Sequence, residues 1–130
     1  MSNNDTLAAC LSKIDNASKM SKNQVIIQGV SKMIKKVLDI LNKHEYVGKC
    51  TYEENSKGGM VEIELLDRIN RCGSVKPRYK VKANEIEKYE QRYLPAKSYG
   101  VLLISTSKGV MTNSEAKEKG IGGKLIAYCY

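Results

Sequence analysis

The spacing of apolar residues changes period several times along the chain. Leu7, Leu11 and Ile14 recur at steps of four and three behind Asp5 or Thr6, either of which can cap a helix that fades near Lys19. Gln24-Val25-Ile26-Ile27-Gln28 is a β-rich run closed by Gly29 and predicts a short strand. Ser31 then stands as cap to a stronger helix. Its apolar stripe is Met33, Ile34, Val37, Leu38 and Leu41, with Lys32, Lys35, Lys36 and Lys43 over the remainder. Met33 reads as core. Residues 46–53 and 60–66 read as a hairpin turned by Asn55-Ser56-Lys57-Gly58-Gly59. Val61, Ile63 and Leu65 alternate with Glu62 and Glu64, so this strand should bury one face.

The second half opens on a basic segment punctuated by Gly73 and Pro77, with Arg78-Tyr79-Lys80-Val81 as a strand. Asn84 can cap a helix bearing Ile86, Tyr89 and Tyr93, which ends before Pro95. The run Val101 to Ile104 has the continuous apolar character of a buried strand. Ser105-Thr106-Ser107-Lys108-Gly109 reads as a loop, and Val110-Met111 as a short apolar piece. Thr112 or Asn113 caps a brief helix that ends at Gly120, and Lys124 to Tyr130 closes the chain as a strand. The fold class that results is α+β, in two small packed units. An N-terminal α-β-α-β-β domain covers residues 1–66, and a C-terminal β-rich domain with short helices covers residues 67–130.

Length and composition narrow the class. A chain of 130 residues accommodates one domain, or two very small ones. Hydrophobic content of 42% with 28% charged residues argues against wholesale disorder. No apolar run approaches the ~18 residues of a membrane span, and no signal peptide follows the polar start, so a soluble, cytoplasmic chain with no membrane partner is expected. Cys10, Cys50, Cys72 and Cys129 lack any Cys-x-x-Cys spacing, and His44 is the one imidazole available to join them. Reduced thiols, with no metal and no cofactor, are the expectation.

The formal charge of +8 is unevenly spread. Residues 1–66 carry 9 Lys against 8 acids, whereas residues 67–130 carry 13 Lys and Arg against 6 acids, including all four Arg. Nucleic acid is the leading partner for such an excess, weighed against a merely solvated basic face.

Catalytic chemistry is poorly supplied. His44 stands alone beside Glu45, and the serines at 105 and 107 have no acid or imidazole in the flanking loop to activate them. Gly120-Ile121-Gly122-Gly123 has a Gly-x-x-Gly spacing known from RNA-binding loops, but it precedes a strand and also reads as a helix end and a tight turn. The Ser105–Gly109 loop suits an RNA contact better. It follows a buried strand, its short side chains let the backbone approach a surface, and each hydroxyl can donate and accept. Those features match the wide, shallow minor groove of an RNA helix. Lys108 adds a charge that seeks phosphate. An ordinary Ser/Thr turn is the competing reading.

At this loop the chain resembles a known family. Gly100-Val101-Leu102-Leu103-Ile104-Ser105-Thr106-Ser107-Lys108-Gly109-Val110-Met111, followed by Ala116-Lys117, is similar to the signature of small-subunit ribosomal protein eight, the S-eight family. Gly120-Ile121-Gly122-Gly123-Lys124-Leu125-Ile126-Ala127-Tyr128 resembles that family's C-terminus. Further resemblances are Asp5-x-Leu7, Ile14-x-Asn16-Ala17, Ser31-Lys32 and His44-Glu45-Tyr46-Val47-Gly48. Asn70-Arg71-Cys72-Gly73, Lys76-Pro77-Arg78-Tyr79 and Arg92-Tyr93-Leu94-Pro95-Ala96 resemble its archaeal and eukaryotic branch.

The resemblance implies a two-domain α+β ribosomal constituent, cytoplasmic and monomeric when free. It would bind the central domain of small-subunit rRNA, hold an irregular helix in its folded form during assembly, and sit among neighbouring small-subunit ribosomal proteins. It assigns the main RNA contacts to Ser105, Thr106, Ser107 and Gly109, beside the phosphate-seeking Lys108. Gly122 and Gly123 would bring the final turn close to the same RNA. Ser31 and Lys32 would meet a phosphate at a helix start, with Arg78 and Tyr79 as further contacts. Bacterial relatives typically have Glu where this chain has Lys124, so a phosphate contact there is the alternative to a base contact. The alternative function is an extra-ribosomal translational repressor that binds its own mRNA. A small phosphate-handling enzyme is the third, without a credible base.

Overall fold

The computed structural model describes residues 6–56, 58–76, 78–96 and 99–130. Asp5, one of the two candidate caps of the first helix, and the turn residue Lys57 lie outside the described residues. Among the described residues there are four α-helices and eight strands in two sheets, a mixed α+β architecture. The chain clusters into two compact units, Met1–Cys72 and Gly73–Tyr130.

The first unit runs α1 (Thr6–Lys19), β1 (Gln24–Gln28), α2 (Lys32–Lys43), β2 (Val47–Glu53) and β3 (Met60–Leu65). Its three strands form an antiparallel sheet in the order β1-β3-β2. The alternation in β3 does what its pattern dictates: Val61 and Ile63 are buried while Glu64 is exposed. Ile27 pairs with Val61 and joins this apolar face. Leu7, Leu11 and Ile14 of α1 and Ile34, Val37, Leu38 and Leu41 of α2 are buried, with α1 lying against β1 and α2 against β2. Met33, by contrast, is only half-buried. A bulge follows Val47, which pairs with Leu65 while Cys50 pairs with Ile63. Asn42 donates to the Gly48 carbonyl there at 2.7 Å, so the irregular backbone keeps a partner.

Residues 67–72 close the first unit, although their basic character groups them with the second half. Cys72 donates its backbone N–H to Asp15 Oδ1 at 3.2 Å and its thiol to the Leu11 carbonyl at 3.4 Å.

The boundary falls within β4 (Cys72–Ser74), and the second unit continues with β5 (Lys80–Val81), a 3₁₀ turn (Ala83–Glu85), α3 (Ile86–Tyr93), β6 (Val101–Thr106), β7 (Gly109–Thr112), α4 (Asn113–Lys119) and β8 (Gly123–Cys129). The sheet order is β4-β8-β6-β7, and β5 also pairs with β8. Its core gathers Val75, Val81, Ile86, Leu94, Leu102, Ile104, Met111, Ala116 and Leu125.

Local chemistry moves three of the expected elements. Asn84 lies inside the 3₁₀ turn instead of capping α3, because Glu85 reaches back to accept the Lys82 N–H at 3.0 Å. The strand expected over 78–81 is confined to Lys80–Val81, with Tyr79 contributing its carbonyl to the Leu125 N–H. The expected loop over 105–109 is largely strand, since β6 continues through Thr106 and β7 starts at Gly109. Strand β4 has no counterpart in the apolar pattern. At α4 the cap is Thr112, whose hydroxyl accepts the Glu115 N–H at 3.3 Å. Asn113 instead turns inward, accepting the Leu102 N–H at 3.1 Å and donating to Glu90, which also pairs with Lys117 at 2.9 Å.

Candidate nucleic-acid interface

The β6–β7 connection is a tight hairpin. Ser105 pairs with Val110 and Thr106 with Gly109, leaving only Ser107 and Lys108 at the tip, both exposed. The positive φ of the connection falls on Gly109, at +108°, which is the turn-plus-bulge form of a short hairpin. Thr106 holds the form together: its Oγ1 donates to the Gly109 carbonyl at 2.7 Å and accepts the Lys108 N–H at 3.1 Å. Its hydroxyl is therefore engaged within the protein. The Ser105 and Ser107 hydroxyls have no protein hydrogen bond among the described residues. Of the three hydroxyls singled out from the sequence, one builds the turn and two are available to a partner.

The glycines of the last turn serve close approach, and the surface they approach is the chain's own. A Cβ on Gly123 would lie 2.2 Å from the Ser105 carbonyl oxygen, and one on Gly122 would lie 2.2 Å from that of Val81. Only residues without a Cβ let β8 enter the sheet between β5 and β6. Lys124 follows at once, exposed, and pairs with Ser105 on one side and Lys80 on the other. Lys80 was absent from the residues singled out in the sequence. The signal that finds it is strand register, which the pattern within one strand does not contain.

Arg78 is exposed, but Tyr79 is half-buried and faces the core. Its ring lies 5.5 Å from that of Tyr89, and the Arg92 guanidinium sits 5.9 Å from Tyr79 and 5.2 Å from Tyr89. Tyr93 stacks on Tyr128 at 5.7 Å. Burial and the neighbouring Tyr79 raise the Tyr93 phenol above its ordinary range, so it stays a neutral donor.

In the first unit, Ser31 caps α2 by accepting the Ile34 N–H at 3.2 Å, while Lys32 is exposed beside it. The helix start there has the polarity that favours an anion. His44 is an exposed residue at the end of α2. Among the described residues, no group of three or more His, Cys, Asp and Glu side chains could hold a metal ion, and no helix is long and apolar enough to cross a membrane.

These arrangements define a two-unit α+β protein with serine hydroxyls and lysines set at the ends of its strands. The sequence model of the family described as Ribosomal protein S8 matches residues 5–130, and the chain belongs to that family. It is thus a ribosomal, rRNA-binding protein of the small subunit and not an enzyme, and it works with other ribosomal proteins in the cytoplasm.

Proposed function

We propose that the chain binds the central domain of small-subunit rRNA as a monomer and stabilises an irregular helix there during assembly. The observation that carries this reading is the β6–β7 hairpin. Thr106 locks its shape, and the Ser105 and Ser107 hydroxyls face outward without partners of their own. A rigid strand end with short donor–acceptor side chains fits a minor groove lined with 2′-hydroxyls and the phosphates that border it. Lys108 and Lys124 supply the sequence-independent, salt-sensitive part of the affinity. Ser31 and Lys32 at the start of α2 add a phosphate contact from the first unit, and Arg78 adds charge. Gly122 and Gly123 act through the placement of β8.

The test is binding of the full chain to a central-domain rRNA fragment against an unrelated RNA duplex. Ser107→Ala is expected to weaken the fragment by roughly 1 kcal/mol, as one lost hydrogen bond does, and to leave the duplex almost unchanged. Equal loss on both RNAs would refute recognition of shape by this hairpin. The alternative role, repression through its own mRNA, requires the protein off the ribosome. Co-sedimentation with small-subunit particles through a high-salt gradient separates the two.

A further inference from the structure

The pairing of β5, β8 and β6 creates a short row of donors. Lys80 stands opposite Lys124, and Lys124 stands opposite Ser105. Directly paired residues in antiparallel strands project on the same face, so two lysine side chains and a serine hydroxyl leave the sheet side by side. Both lysines are exposed, and neither has a salt bridge among the described residues. The Ser105 hydroxyl is likewise unengaged among them. Like charges directly opposite each other in a ladder are destabilising. The row is nevertheless held firmly, because Gly123 abuts the Ser105 carbonyl and Gly122 that of Val81.

All three groups can donate to one anion. We infer that Lys80, Lys124 and Ser105 form a seat for a single phosphodiester of an RNA backbone, an inference that rests on the RNA-binding reading above. The seat lies at the end of β6 that leads into the hairpin. One strand of RNA could therefore set a phosphate on the row while the hairpin tip meets its groove. Free phosphate offers the same oxygens, but at an open, salt-screened surface it gains little by itself. A polyanion releases its condensed counterions on binding.

The test uses the full chain as wild type, Lys80→Gln, Lys124→Gln and the double variant. Without RNA and at low salt, each single variant should melt no lower than wild type, since the repulsion is gone. On the rRNA fragment, each should lose about three- to tenfold in affinity and lower the salt slope by about one. The double variant should lose less than the product of the singles, because both lysines serve one phosphate. Wild-type binding with unchanged affinity and slope in the variants would overturn the seat alone. Losses that multiply would overturn it too, as they describe two separate contacts. Wild-type protein that fails to bind the fragment would overturn the RNA reading itself. Inorganic phosphate should raise the wild-type melting temperature no more than chloride at equal ionic strength. A rise confined to wild type would reassign the seat to free anions.

Discussion

The hydroxyl of Thr106 donates to the carbonyl of Gly109 at 2.7 Å, across the two residues that form the tip of the β6–β7 hairpin. This bond divides the labour within one short motif. A serine–threonine–serine run suggests three equivalent donors, yet the middle one is turned onto its own backbone and the flanking two are left for a partner. Shape and contact are thereby separable by mutation.

Thr106→Val keeps the β-branched shape but removes both bonds of the hydroxyl. It should lower stability by about 1 kcal/mol, read as a melting temperature a few degrees lower, and weaken rRNA-fragment binding as well. Thr106→Ser, which restores the oxygen, should recover most of both. Ser107→Ala should leave the melting temperature in place and change only binding. A Thr106→Val protein that melts like wild type would show that the turn holds without the clamp.

Gly123→Ala tests the close approach of β8 to β6. The added methyl would lie 2.2 Å from the Ser105 carbonyl oxygen and 2.8 Å from its carbon, so the strands must part. Overpacking of this kind costs about 1–3 kcal/mol. Thermal unfolding should show the loss, and amide exchange in β6 near Ser105 should accelerate. Lys124→Ala at the next position, exposed and without a partner of opposite charge, should cause no such loss.

Elements with a strong period were legible from residue types alone. Helices α1 and α2 and strands β3 and β6 follow their apolar spacing because one face, or both, is buried. Elements made by contacts distant in sequence were not. Strand β4 is three residues long with no alternation, and it exists because β8 runs beside it. Cys72 joins the first unit through Asp15 and Leu11, 57 and 61 residues away. Arg78 and Tyr79 lie outside the paired strand, and the Tyr79 ring packs on Tyr89 beside Arg92, a contact that the pattern within one strand does not contain. For the site, the hairpin was legible as a motif, while the division between Thr106 and the serines was not. Nor was the row of Lys80, Lys124 and Ser105, since its members come from three strands.

Asn113 should be intolerant in a pH-dependent way. It is buried, with its Oδ1 on the Leu102 N–H and its Nδ2 on the Glu90 carboxylate. Asn113→Ala strands a buried N–H and should cost about 1–3 kcal/mol. Asn113→Asp replaces the donor with a second carboxylate facing Glu90. Two adjacent carboxylates cannot both ionise cheaply, so this variant should be least stable near neutrality. Its deficit should shrink as the pH falls through the carboxylate range. Denaturant unfolding at pH 7 and pH 5 measures it, and a deficit independent of pH would place the damage elsewhere.

The thiols give the alkaline prediction. Burial pushes Cys10 up to about 12, helped by the nearby Cys72 and Cys50, and burial also raises Cys50. In the unfolded chain a cysteine ionises near its ordinary value of about 8.5. The folded thiol is then the tighter proton binder. Its contribution to stability is fully present below about pH 8.5 and is lost as the pH climbs towards 12. Tyrosines and lysines titrate in the same window, so the measurement is a difference between wild type and Cys10→Ala. The variant should be less stable at pH 7 through lost packing, and its stability should fall less steeply between pH 8.5 and 11. In the native protein a thiol reagent should label Cys50 first, because it is half-exposed whereas Cys10, Cys72 and Cys129 are buried. Equal alkaline slopes for the two proteins would mean that Cys10 ionises as readily in the fold as outside it.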